Sequence, residues 1–118
     1  MSIETRQKEV YWVTFPFSDS VNKKHRPALI ISNDRYNAEN EDVLACAITS
    51  VLKPRQYSVL LEEKSFTQGG LPLQSRLRAD KIVSIEKNLL SKKAGLVSKE
   101  TFSKIIIELN NLVSDKAF

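Results

Sequence analysis

No unbroken apolar run in this sequence exceeds six residues. A chain patterned in this way buries its apolar side chains through many short strands or an amphipathic helix, and it offers no stretch long enough to span a membrane. The longest run, Val43-Leu44-Ala45-Cys46-Ala47-Ile48, shows no polar alternation and reads as a strand buried on both faces. Residues 10–15, closed by Pro16, and residues 28–31, opened by Pro27, read as two more strands. Residues 57–61 are expected to be the hairpin partner of 43–48. A further strand covers 77–85, where apolar positions fall at 77 and 79 and then at 82, 83 and 85; the change of phase at Asp80 and Lys81 predicts a bulge.

Only the last part of the chain changes period. Phe102, Ile105, Ile106, Leu109, Leu112 and Val113 recur at helical spacing, with Ser98 or Thr101 placed to cap the start. Short strands followed by one helix imply a mainly β fold with α: a small, strongly curved sheet or barrel with the helix packed on one face. At 118 residues, 42% hydrophobic, with no repeat and no Gly/Ser linker, the chain is expected to be a single domain over 1–118 with a core that needs no staple. The lone cysteine, Cys46, excludes an intrachain disulfide and argues against a Cys-based metal site. Together with the polar start Met1-Ser2-Ile3-Glu4-Thr5-Arg6, this leads us to expect a cytoplasmic protein with no membrane partner.

The formal charge is +4, and it is uneven: residues 1–60 carry 8 basic and 7 acidic groups, residues 61–118 carry 10 and 7. Such an excess is compatible with nucleic acid without requiring it. Residues 17–25, between the first two strands, form a polar loop long for a hairpin, which points to function.

Three segments carry chemistry. In His25-Arg26-Pro27-Ala28-Leu29-Ile30-Ile31-Ser32 a cation sits at the mouth of a proline-led strand, where its planar fork suits a pair of phosphate oxygens. Its plain alternative is a surface salt bridge. Thr49 and Ser50 end the buried run and place two hydroxyls at a strand mouth, a position where ordinary turn bonding is also common. In Arg76-Leu77-Arg78-Ala79-Asp80-Lys81, residues 76, 78 and 80 share a strand face, making Arg78 and Asp80 neighbours; a structural ion pair is the competing reading.

Taken in this order and spacing, these segments resemble the MazF/PemK family of bacterial toxin ribonucleases, from about Glu9 to Val113. The landmarks are Tyr11-Trp12-Val13-Thr14-Phe15-Pro16-Phe17, Arg26-Pro27-Ala28-Leu29-Ile30-Ile31-Ser32-Asn33-Asp34, Ala47-Ile48-Thr49-Ser50, Arg78-Ala79-Asp80 with Ile82 and Ile85, and a Leu-rich turn before the last helix. The resemblance implies an SH3-like barrel, a homodimer, metal-independent cleavage of single-stranded RNA without a cofactor, and restraint by a cognate antitoxin of MazE/PemI type with an acidic disordered tail. It carries the family's site onto Arg26, Thr49, Arg78 and Asp80. The first loop departs from the family: many members have a Gly-Ser/His-Glu-Gln run where this chain has Asp19-Ser20-Val21-Asn22, so that only Ser20 is a partial match.

Cleavage of RNA without metal needs a base for the 2′-hydroxyl, charge stabilisation at phosphorus and a proton for the departing 5′-oxygen. With a single histidine, a two-histidine scheme is excluded. Asp80 is the expected base, Arg26 and Arg78 the phosphate clamp, and Thr49 a donor to a non-bridging oxygen. Arg78 is too weak an acid to protonate the leaving group, which leaves water or His25. Ser20, Lys23, Lys24, His25, Ser50, Lys53, Arg55 and Lys81 are the expected RNA contacts. The competitors on the same fold are a CcdB-like gyrase-binding toxin, which has no chemical need for these four residues and whose expected Trp-containing end is missing from Asp115-Lys116-Ala117-Phe118, and a non-catalytic nucleic-acid binder.

Overall fold

The structure, a computed structural model, describes residues 4–15 and 24–116. Seven strands, β1 (Glu9–Phe15), β2 (Lys24–Ile30), β3 (Asp42–Thr49), β4 (Ser58–Leu61), β5 (Phe66–Gly69), β6 (Ser75–Glu86) and β7 (Leu90–Val97), make one antiparallel sheet in the order β4-β6-β3-β2-β1-β7-β5. The sheet curls into a half-barrel. A short helix α1 (Asp34–Glu39) joins β2 to β3, and α2 (Lys99–Val113) packs against β4 and β6.

Adjacent residues in the central strands serve opposite faces. Val10, Leu29, Cys46 and Leu77 belong to one apolar cluster, closed by Phe102 and Ile105 of α2, while Tyr11, Ala28, Ala45 and Ile85 belong to the other. This two-sided burial is why the run 43–48 carries no polar alternation. Burial pushes the Cys46 thiol up to about 12, with the charge of Asp80 adding to it, so the thiol stays protonated. Ser98 caps α2, its hydroxyl accepting from the Thr101 N–H at 3.1 Å. Phe102 and Ile105 are buried and Leu109 partly so, but Ile106 and Val113, expected on the same face, stay exposed.

The bulge falls where the sequence phase breaks. Cys46 pairs with Ile82 and Ile48 with Leu77, so residues 78–81 of β6 face the single residue Ala47 of β3. The expected hairpin of 57–61 with 43–48 does not form: β4 pairs with β6, because both edges of β3 are taken, by β2 and β6. Tyr57 turns the chain there with a left-handed φ of 55°, and its carbonyl accepts the Ala79 N–H at 2.9 Å. The Leu-rich turn before the last helix is strand β7, which lies between β1 and β5. Its contact with β5 is made by glycine: a Cβ on Gly69, at φ +61°, would stand 2.2 Å from the Ala94 carbonyl oxygen. No helix among the described residues is long and apolar enough to cross a membrane.

Candidate active site

The site opens where the β2–β3 ladder stops. Pro27 has no N–H to offer, and the ladder begins only at the next residue, with Ala28 opposite Ala47. Beyond that point β2 and β3 part, leaving Arg26 exposed at one lip and Thr49 half-buried at the other. Thr49 also holds its own turn, its hydroxyl accepting the Val51 N–H at 3.1 Å.

The third wall is the bulged part of β6. Arg78 donates through Nε to Asp80 Oδ1 at 3.0 Å and through Nη2 to Oδ2 at 2.8 Å, a two-pronged pair across positions two apart on one strand face. Arg55 reaches the same Oδ2 at 3.5 Å. Its loop is anchored from below: Ser58 donates to the Arg55 carbonyl at 2.6 Å and accepts from Arg76 at 3.1 Å. The Arg78 hydrogen bond holds the Asp80 carboxyl below the ordinary carboxylate range, with the charges of Arg78 and Arg55 in support and burial opposing. The same bond raises the Arg78 guanidinium above its already high value.

Arg26, Thr49, Arg78 and Asp80 therefore line one open cleft of about 600 Å³, floored by Ala47, Ile48 and Val83 and bordered by Lys81 and Ile82. Of the expected RNA contacts, Lys81 lines this cleft and Arg55 reaches its carboxylate. His25 and Ser50 line an adjoining slot, and Lys53 is exposed on the 51–57 segment. Ser20 and Lys23 lie outside the described residues. Lys24 and His25, expected in the loop, belong to β2. Among the described residues no carboxylate pairs with Arg26, and no group of three His, Cys, Asp or Glu side chains could hold a metal ion. Sequence reasoning missed the neighbouring slot, whose wall includes Trp12 of β1. The signal was a tryptophan one strand from Arg26, legible only once β1 and β2 are known to pair with Trp12 opposite Pro27.

The curled half-barrel, closed on one side by α2, with a cleft lined by Arg26, Arg78 and Lys81 where its sheet splits, is the class of fold the chain adopts. The model of PemK-like, MazF-like toxins of type II toxin–antitoxin systems matches residues 6–113, and the chain belongs to that toxin family. Among solved structures it is similar to an endoribonuclease from a mycobacterial species, at 24% identity over 93% of this chain and 91% of that one, with a TM-score of 0.74. It is also similar to a mycobacterial endoribonuclease in complex with its cognate antitoxin (24%, 90% and 91%, TM-score 0.74) and to MazF in a MazE–MazF crystal from Deinococcus radiodurans (19%, 94% and 97%, TM-score 0.79). At these identities the likeness establishes the fold. No curated protein matches the sequence.

Proposed function

We propose that this chain cuts single-stranded RNA without a metal ion, using Arg26, Thr49, Arg78 and Asp80. The observation that carries this reading is the meeting of these four side chains, from three strands, in one open cleft. Free Asp80 is held by two guanidinia and is a weak base. An incoming phosphodiester competes for the same guanidinia, and as Arg78 turns to the phosphate the carboxylate regains basicity where the 2′-hydroxyl arrives. The 2′-oxygen attacks phosphorus and gives its proton to Asp80, the bond from phosphorus to the 5′-oxygen breaks, water protonates that oxygen, and Asp80 returns its proton to the hydroxide left behind. Arg26, Arg78 and the Thr49 hydroxyl stabilise the charge on the phosphorane. The products are a 2′,3′-cyclic phosphate and a 5′-hydroxyl.

A duplex denies the cleft both unstacked bases and the in-line geometry, so the substrate is a single strand. The partner that restrains the enzyme is an antitoxin, as a mycobacterial endoribonuclease of the same fold is found in complex with its cognate antitoxin, and an acidic segment of that partner would compete for Arg26 and Arg78. Exposed Ile106, Ile107 and Val113 on α2 favour a second copy as a further partner. The test is to assay a short RNA, single-stranded and pre-annealed, in excess chelator with end-group analysis. Cleavage of the single strand to cyclic phosphate is the expected result; equal rates on the duplex, or full dependence on Mg²⁺, would reject the reading.

A further inference from the structure

Beside the cleft lies a slot of about 390 Å³ that shares Arg26, Ile48 and Thr49 with it, so that whatever binds in one continues into the other. Its character differs. Polar Ser50 and His25 line it together with Trp12 and Pro27, and Leu71, Pro72 and Leu73 from the segment before β6 complete its apolar lining. Leu73 is left 65% exposed, an apolar rim with nothing among the described residues to cover it. The sheet register extends the row outward. Trp12 pairs with Pro27 on one side and with Lys92 of β7 on the other, and residues directly opposite in a ladder share a face about 5 Å apart. Lys92 is exposed.

Flat aromatic surface, apolar walls and a few hydroxyl and ring donors, set between an arginine and a lysine, suit one nucleotide of a single strand: a base to stack, an edge to read and a phosphate on each side. We propose that the base next to the scissile phosphate stacks on Trp12 in this slot and that Lys92 holds the phosphate beyond it, making Trp12 and Lys92 part of the RNA site. Ser50 and His25 then face the base edge and bias which bases are accepted. This inference rests on the ribonuclease reading above.

The chain has a single tryptophan, so indole fluorescence reports Trp12 alone. The full-length protein is titrated with a short single-stranded RNA bearing 2′-O-methyl riboses, which cannot be cut, and with inorganic polyphosphate as a charged control without bases. The RNA should quench the emission markedly and polyphosphate should not. In cleavage assays Trp12→Ala should raise KM about ten-fold or more with kcat little changed, and Trp12→Phe should recover most of the loss. Lys92→Gln should raise KM a few-fold and lower the salt slope of binding by about one.

RNA that binds by anisotropy and leaves the emission unchanged overturns the inference. So does a folded Trp12→Ala variant with unaltered KM and cleavage sites; in both cases continued cleavage leaves the ribonuclease reading standing. Quenching by an acidic peptide but not by RNA would assign the slot to a protein partner and end the proposal. A wild-type protein that neither binds nor cuts RNA would reject both readings together.

Discussion

Glu9 and Asp80 are both carboxylates held by cations on the same sheet, and their surroundings could hardly differ more. Glu9 is 5% exposed. One of its oxygens accepts the Arg6 N–H at 2.7 Å and the Tyr11 hydroxyl at 3.1 Å, and the other meets Lys93 at 2.7 Å. The Asp80 side chain is 27% exposed, and two guanidinia hold it on the wall of an open cleft. A buried carboxylate tied to backbone, hydroxyl and ammonium groups cannot exchange partners without leaving a charge stranded. One held at the edge of a cleft can give its arginines to another anion. The first arrangement locks β1 to β7 and the N-terminal segment, and the second is fit for a reaction.

The sharpest way to break this comparison is to neutralise each group and measure cleavage and melting together. Asp80→Asn should cost roughly 10²-fold or more in cleavage of single-stranded RNA, with melting little changed. Glu9→Gln should do the reverse, losing about 1–3 kcal/mol of stability while the folded fraction cuts at the normal rate. An Asp80 variant that melts early and cuts normally would make the Arg78–Asp80 pair merely structural.

Smaller effects follow from titration. Burial, reinforced by Glu9, pushes the Tyr11 hydroxyl up to about 12, above its value in an unfolded chain. A group raised in the folded state contributes stability in full below its unfolded value and loses it as pH rises through the folded one. Stability should therefore fall between pH 10 and about 12, and Tyr11→Phe should flatten that fall in alkaline denaturation curves followed by circular dichroism. Asp80 has the opposite sign. Its lowered value means that the stabilisation by Arg78 is present above the ordinary carboxylate range and fades as pH drops through the folded value, below about pH 4. Melting curves of wild type and Asp80→Asn should converge there, and the gap should be the smallest of these effects because solvent screens a partly exposed pair.

Much of the architecture is legible in the sequence. Period-two and unbroken apolar runs mark β1, β2, β3 and β6, helical spacing marks α2, and the phase break marks the bulge, because each is a local pattern. The helix α1 was missed because it is six residues long and held by a cap, with the Asn33 side chain accepting the Tyr36 N–H at 2.8 Å rather than by an apolar stripe. Strand β7, Leu90–Val97, was missed because the exposed Ser91, Lys92 and Lys93 interrupt its apolar positions on both faces.

The sequence by itself determined which side chains are on offer for the proposed chemistry: the guanidinium before Pro27, the hydroxyls ending the buried run and the Arg78–Asp80 pair two positions apart. Only the tertiary structure decided that they meet. A strand pattern states which side chains share a face but not which strand lies alongside, and the pairings of β4 with β6 and of β1 with both β2 and β7 are set by which edges remain unpaired as the sheet closes. The cleft exists because the β2–β3 ladder starts after Pro27 while β6 bulges opposite Ala47, and the slot exists because Trp12 lands beside Pro27. Both are contacts between residues far apart in the chain, set by packing the whole sheet rather than by any local preference.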